Sequence, residues 1–144
     1  YWFLEVIALN LKNVLIPGII AGIVILVVST ITSYFTQMLF SYNVLTLDGI
    51  RAVNDPIMML FFLYPFVLGL AIAYLYDFAK TSFKGNALQK GVSLGFIAWI
   101  VSAIPSAFVV FTSMTYPMGF TVDMVIGSLI SMLVAGLVIA KLSK

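Results

Sequence analysis

Four apolar stretches, each close to the length needed to cross a bilayer, take up most of this 144-residue chain. A spanning helix needs about 20 predominantly apolar residues to match a hydrocarbon core about 30 Å thick. The stretches run over residues 14–39, 56–76, 88–111 and 122–140. Charged residues make up only 8% of the chain and hydrophobic ones 63%. A soluble domain carries roughly 25% charged residues, so this chain has too few to cover its apolar surface in water. The sequence therefore predicts an all-α, polytopic membrane protein, with residues 1–144 forming one transmembrane domain of four helices.

Local signals frame these spans. Asn13 precedes the first, and Pro17 is expected in its opening turn, where the missing N–H costs nothing. Asp55 and Pro56 read as an N-cap followed by a first helical residue. Gly85-Asn86 marks a turn before the third span. Asp123 falls in the first turn of the fourth, where a carboxylate faces the positive end of the helix dipole. Capping is the expected role of both aspartates. Residues 1–11 read as an interfacial segment, with Tyr1, Trp2 and Phe3 at headgroup level. Glu5 interrupts its apolar run, and it lacks the basic leader and cleavage site of a signal peptide.

Charge asymmetry sets the expected orientation, because cytoplasmic loops collect Lys and Arg. With four crossings, both termini share a side with the middle loop. That side holds Lys12, Lys80, Lys84, Lys90, Lys141 and Lys144, and the other holds only Arg51. Both termini are therefore expected in the cytoplasm. In the longer outer loop, Asp48, Arg51 and Asp55 lie three and four residues apart. That spacing would gather them as a paired charge cluster on one helical face.

The chain also repeats itself. Leu15 to Ile31 aligns with Leu88 to Ile104 without a gap, matching Gly18 with Gly91, Gly22 with Gly95 and Ser29 with Ser102. Gly69 to Leu75 aligns with Gly136 to Leu142 with five identities in seven positions. The reading is a duplication, two tandem helical hairpins of equal orientation related by an axis along the membrane normal.

Small residues let membrane helices approach closely, since lipid supplies no hydrophobic drive between them. Gly18 and Gly22, Gly69 and Ala73, and Gly91, Gly95 and Ser102 form such stripes. In the fourth span Gly127, Ser131 and Ala135 do the same, and Gly136 is the counterpart of Gly69 in the repeat. These are the candidate packing residues, within the chain or between copies. Pro65 and Pro105 fall inside spans and are expected to kink them. Tyr64 and Trp99 lie deep enough that O–H and N–H need acceptors; carbonyls freed at the proline kinks are the expected partners.

Several functions lack their residues. Zero cysteine and zero histidine remove thiolate chemistry and the usual zinc, haem and proton-shuttle ligands. No catalytic set, metal centre or cofactor motif is read, nor a basic cluster for nucleic acid. No ionisable group is read in the middle of a span, which argues against ion-coupled transport. The expectation is a non-catalytic accessory or structural subunit, its partners being membrane lipids and other transmembrane subunits or further copies of itself. The alternative is a small transporter or channel for a neutral solute or lipid. The run Lys12 to Gly22, with Asp55-Pro56 and Tyr64-Pro65, resembles small uncharacterised prokaryotic four-helix membrane proteins over residues 12–144. That resemblance implies a four-helix topology in a prokaryotic cytoplasmic membrane and carries no active residue across.

Overall fold

The computed structural model describes residues 11–143. The interfacial segment expected at the start, Glu5 and Lys144 lie outside them. Helix α1 runs Leu11–Phe40. Its many β-branched residues are indifferent helix formers in water. In lipid, however, each backbone group must find its partner inside the segment, which favours the helix regardless of propensity. Pro17 lies within this helix, at least six residues past its start and not in the expected opening turn. The helix ends where Ser41 takes a positive φ of 51°, and the Tyr42 N–H closes back onto the Gln37 carbonyl at 3.2 Å.

The second span begins as an eight-residue 3₁₀ helix, Pro56–Leu63, and becomes α-helical in α2, Tyr64–Ala79. Asp55 caps it, accepting the Ile57 N–H at 2.9 Å. Pro65 therefore sits in the first turn of α2, at the change of winding, and does not kink an α-helix interior. Helix α3 spans Ala87–Ser113 and contains Pro105. It opens with a full capping box, Asn86 accepting the Gln89 N–H and the Gln89 side chain accepting the Asn86 N–H. The fourth span starts with the short α4, Met118–Val122, widens into one π turn at Asp123–Gly127, and continues as α5, Ser128–Leu142. Thus the second span is overwound near its start and the fourth underwound. All four spans, Lys12–Phe40, Pro56–Ser82, Ala87–Ser113 and Met118–Leu142, are long and apolar enough to cross a membrane.

Glycine sets the closest approaches. A Cβ on Gly69 would stand 2.7 Å from the Gly22 nitrogen, and one on Gly18 would stand 2.9 Å from Cα of Leu70. Both are closer than real Cβ atoms come, so α1 and α2 meet backbone to backbone. The same contacts recur between α3 and α5. A Cβ on Gly136 would stand 2.8 Å from the Gly95 nitrogen, and one on Gly91 would stand 2.7 Å from Cα of Leu137. Every residue of the second set lies 73 positions after its counterpart in α1, or 67 after its counterpart in α2. The core obeys the same offsets. Ala21 and Leu94 are both buried, as are Ile25 and Ala98, Ile72 and Ile139, and Ala73 and Ala140.

The arrangement as a whole does not repeat so evenly. Helix α1 packs extensively on α5, whereas α3 and α2, their counterparts under the two offsets, barely meet. The helices follow the order α2, α1, α5, α3, an open row in which α2 and α3 are the edges.

Candidate functional site: a carboxylate against a hydroxyl stripe

One face of α1 near its Phe40 end carries Ser29, Thr32, Ser33, Thr36 and Gln37, a run at helical spacing that keeps polar groups on one side. Most of these groups lean on the helix itself. The Thr32 hydroxyl donates to the Ser29 carbonyl at 3.1 Å, and the Thr36 hydroxyl to those of Thr32 and Ser33 at 3.1 and 3.0 Å. The Gln37 amide reaches the Ser33 carbonyl and hydroxyl, both at 3.2 Å, while its oxygen accepts the Val44 N–H at 2.9 Å. Back-bonding of this kind lets hydroxyls sit in an apolar span without losing a hydrogen bond.

The stripe faces the π turn. The Ser33 and Thr36 side chains are neighbours of the Asp123 carboxyl group. Thr32 Oγ1 lies 3.1 Å from where a Cβ on Gly127 would stand, and the Asp123 carboxyl crowds the same position. Gly127 is therefore the gap through which the fourth span settles on α1. Asp123 lies five residues beyond Met118, about 7–8 Å along the axis at 1.5 Å per residue. It is inside a span and half-buried, so an ionisable group does occur within the apolar segment. Asp123 is not an N-cap: the helix is already running at Met118, and Asp123 opens a π turn.

The wider turn gives Trp99 its partner. The indole Nε1 donates to the Val125 carbonyl at 2.8 Å, inside the π turn and away from both prolines. The Ser128 hydroxyl also donates toward this turn, to the carbonyls of Met124 and Val125. A π turn shifts the carbonyl register and leaves acceptors that an α-helix would use internally. Here side chains from α3 and α5, Trp99 and Ser128, both reach carbonyls of the turn.

Around the stripe, Gly119 fits against Phe40 and Tyr42, which locks the start of the fourth span to the end of α1. The Tyr42 phenol is pushed above its ordinary pKa, chiefly by burial, with Asp123 adding to the shift and a Thr36 hydrogen bond opposing it. The Tyr116 hydroxyl donates to the Asp48 carbonyl at 3.0 Å, tying together the two loops at this end.

The other expected site residues fall elsewhere. Gly18, Gly22 and Gly69 meet in one seam, and Gly91, Gly95 and Gly136 in another. Ala73 is fully buried in the core. Ser102 donates to the Ala98 carbonyl at 2.6 Å, and the buried Ser131 to that of Gly127 at 3.0 Å. Arg51 and Asp55 pair at 2.9 Å, but the Asp48 to Asp55 segment is not one helical face. Asp48 takes part through its backbone. Two open cavities, of about 220 and 470 Å³, lie at the opposite end beside Lys80, Lys84 and Lys90, and neither is lined by Asp123. Asp77, buried there, is held by Lys80 at 2.9 Å. Among the described residues no three metal-ligating side chains converge.

Among the described residues these features define an all-helical fold with four helices long and apolar enough to cross a membrane, the architecture of a multi-pass membrane protein. No protein-family model, curated protein or solved structure matches this chain.

Proposed function

We propose that this chain is a non-catalytic integral membrane protein whose work is to pack: an accessory or structural subunit of a larger membrane assembly or of a homo-oligomer. The observation that carries this reading is the segment Pro56–Leu63. It is eight residues of 3₁₀ helix with no buried side chain, and its packing is confined largely to its own continuation in α2. Runs of 3₁₀ helix beyond three or four residues are uncommon because their hydrogen bonds are poorer. Apolar exposure alone is ordinary in lipid, but an unfavourable winding without intramolecular support asks for an external neighbour. On this reading the fold is two tandem hairpins in a prokaryotic cytoplasmic membrane, with the lysine-rich ends and middle loop in the cytoplasm.

A second reading, a pathway for a neutral solute or lipid, draws support from the hydroxyl stripe and Asp123, which place polar surface inside a span. Purification in a mild detergent separates the two. Stoichiometric partner subunits, or a stable homo-oligomer without solute flux, are expected. A lone monomer that confers flux on liposomes, lost in Asp123→Leu, would favour the pathway instead.

A further inference from the structure

The open row leaves two faces bare, and the internal repeat says what fits them. On α1, Val24, Val28 and Thr32 share a face by their four-residue spacing; Thr32 meets Gly127 of the fourth span, and all three are half-buried. Their counterparts 73 residues on, Ile97, Val101 and Pro105 of α3, are all exposed, Val101 to 70%. On the fourth span, Gly127, Ser131, Val134 and Val138 share a face by their helical spacing; Gly127 meets Thr32 of α1, the first two are buried and the others half-buried. Their counterparts 67 residues earlier, Leu60, Tyr64, Val67 and Ala71, are again all exposed, Leu60 to 60% and Val67 to 64%. Each of the seven positions is covered in one hairpin and bare in the other. Meanwhile the seams inside the two hairpins, Gly22 on Gly69 and Gly95 on Gly136, are matched to within about 0.1 Å at those contacts.

Two hairpins joined chiefly through α1 and α5 make a head-to-tail contact. Such a contact either propagates or closes into a ring. Inside one chain it does not close, because α3 and α2 barely meet.

We propose that a second copy of this chain closes it. The Ile97/Val101/Pro105 face of α3 in one copy takes the Leu60/Tyr64/Val67 face of the second span in the other, repeating the contact of α1 with α5. Two-fold symmetry makes the contact twice and leaves a ring of four hairpins with neither face bare. The Pro56–Leu63 segment then rests on α3 of the partner, as the π turn rests on α1. This rests on the packing reading above and names the partner as the chain itself.

The chain has no cysteine, so placed thiols report contacts cleanly. The contact of Thr32 with Gly127 maps onto Pro105 and Leu60, and that of Ser33 with Asp123 onto Ser106 and Pro56. Leu60→Cys and Pro105→Cys chains carrying different tags are co-expressed and oxidised in native membranes; Pro56→Cys and Ser106→Cys form a second pair that leaves Pro105 in place. The expected product is a mixed disulfide between the two variants in at least one pair, with no disulfide between like variants. Wild-type chains counted by native mass spectrometry from nanodiscs are expected as two copies. Like-with-like disulfides, or no mixed product in either pair, overturn the proposal, and so does a count of one copy. A single copy bound to a different protein overturns it while leaving the packing reading intact. A single copy alone overturns both.

Discussion

Gly69 and Gly22 face each other so closely that a Cβ on Gly69 would stand 2.7 Å from the Gly22 nitrogen, and Gly136 repeats the relationship with Gly95 at 2.8 Å. The neighbour is backbone in each case, so no side-chain rotation relieves the clash. Gly69→Ala and Gly136→Ala are therefore expected to cost alike, about 1–3 kcal/mol each, the usual range for overpacking. Val27→Ala, on an exposed position of α1, is expected to fall within about 0.5 kcal/mol of wild type. Reversible unfolding in mixed micelles measures all three. A loss confined to one glycine would break the equivalence of the two hairpins.

Asp123 and Thr36 join the fourth span to α1 across the hydroxyl stripe. Asp123→Asn keeps an oxygen and an amide that Ser33 and Thr36 can use, and is expected to stay within about 1 kcal/mol of wild type. Asp123→Leu removes the polar neighbour of Ser33 and Thr36 altogether and is expected to cost more than Asp123→Asn, about 1–3 kcal/mol. A double-mutant cycle with Thr36→Val is expected to give a coupling of about 0.6 kcal/mol, the average for hydrogen bonds between membrane helices. Zero coupling would mean that the two side chains are neighbours without an interaction.

The carboxyl of Asp55 is held below its ordinary range, first by the Ile57 backbone N–H and then by the Arg51 side chain. A lowered folded-state pKa means that the cap is fully formed above the ordinary carboxylate range and is lost as pH falls through the lowered value. Carbon-detected NMR titration of Asp55 is expected to show a midpoint below that of a free aspartate. Arg51→Gln is expected to raise it only part of the way, because the backbone bond remains. Full recovery in Arg51→Gln would reverse the order of the two causes.

Much of this was legible in advance, for physical reasons that apply to particular residues. The spans declare themselves because lipid demands long apolar runs. Gly18, Gly22, Gly69, Gly91, Gly95 and Gly136 stand out because four-residue spacing puts small residues on one helix face. Asp123 was misread because an acid near the start of a span has a ready explanation as a cap. The contrary signal was present in Ser29, Thr32, Ser33, Thr36 and Gln37, a polar stripe in the first span with nothing assigned to meet it. The π turn was not legible, since no residue type specifies one, and so the acceptor for Trp99 was sought at the prolines. The 3₁₀ winding of Pro56–Leu63 was hidden for the same reason: its apolar letters suit an α-helix equally well.

The central claim is that four helices thread the membrane with the lysine-rich loop and chain end on one side and the Ser41–Asp55 loop on the other. Single cysteines at Asn54, Thr115, Lys84 and Ser143, tested with a membrane-impermeant maleimide on intact cells, measure this directly. Asn54→Cys and Thr115→Cys are expected to label at once, Lys84→Cys and Ser143→Cys only after the membrane is permeabilised. Labelling of Lys84→Cys and Ser143→Cys from opposite sides would mean an odd number of crossings between them, and the account would fail.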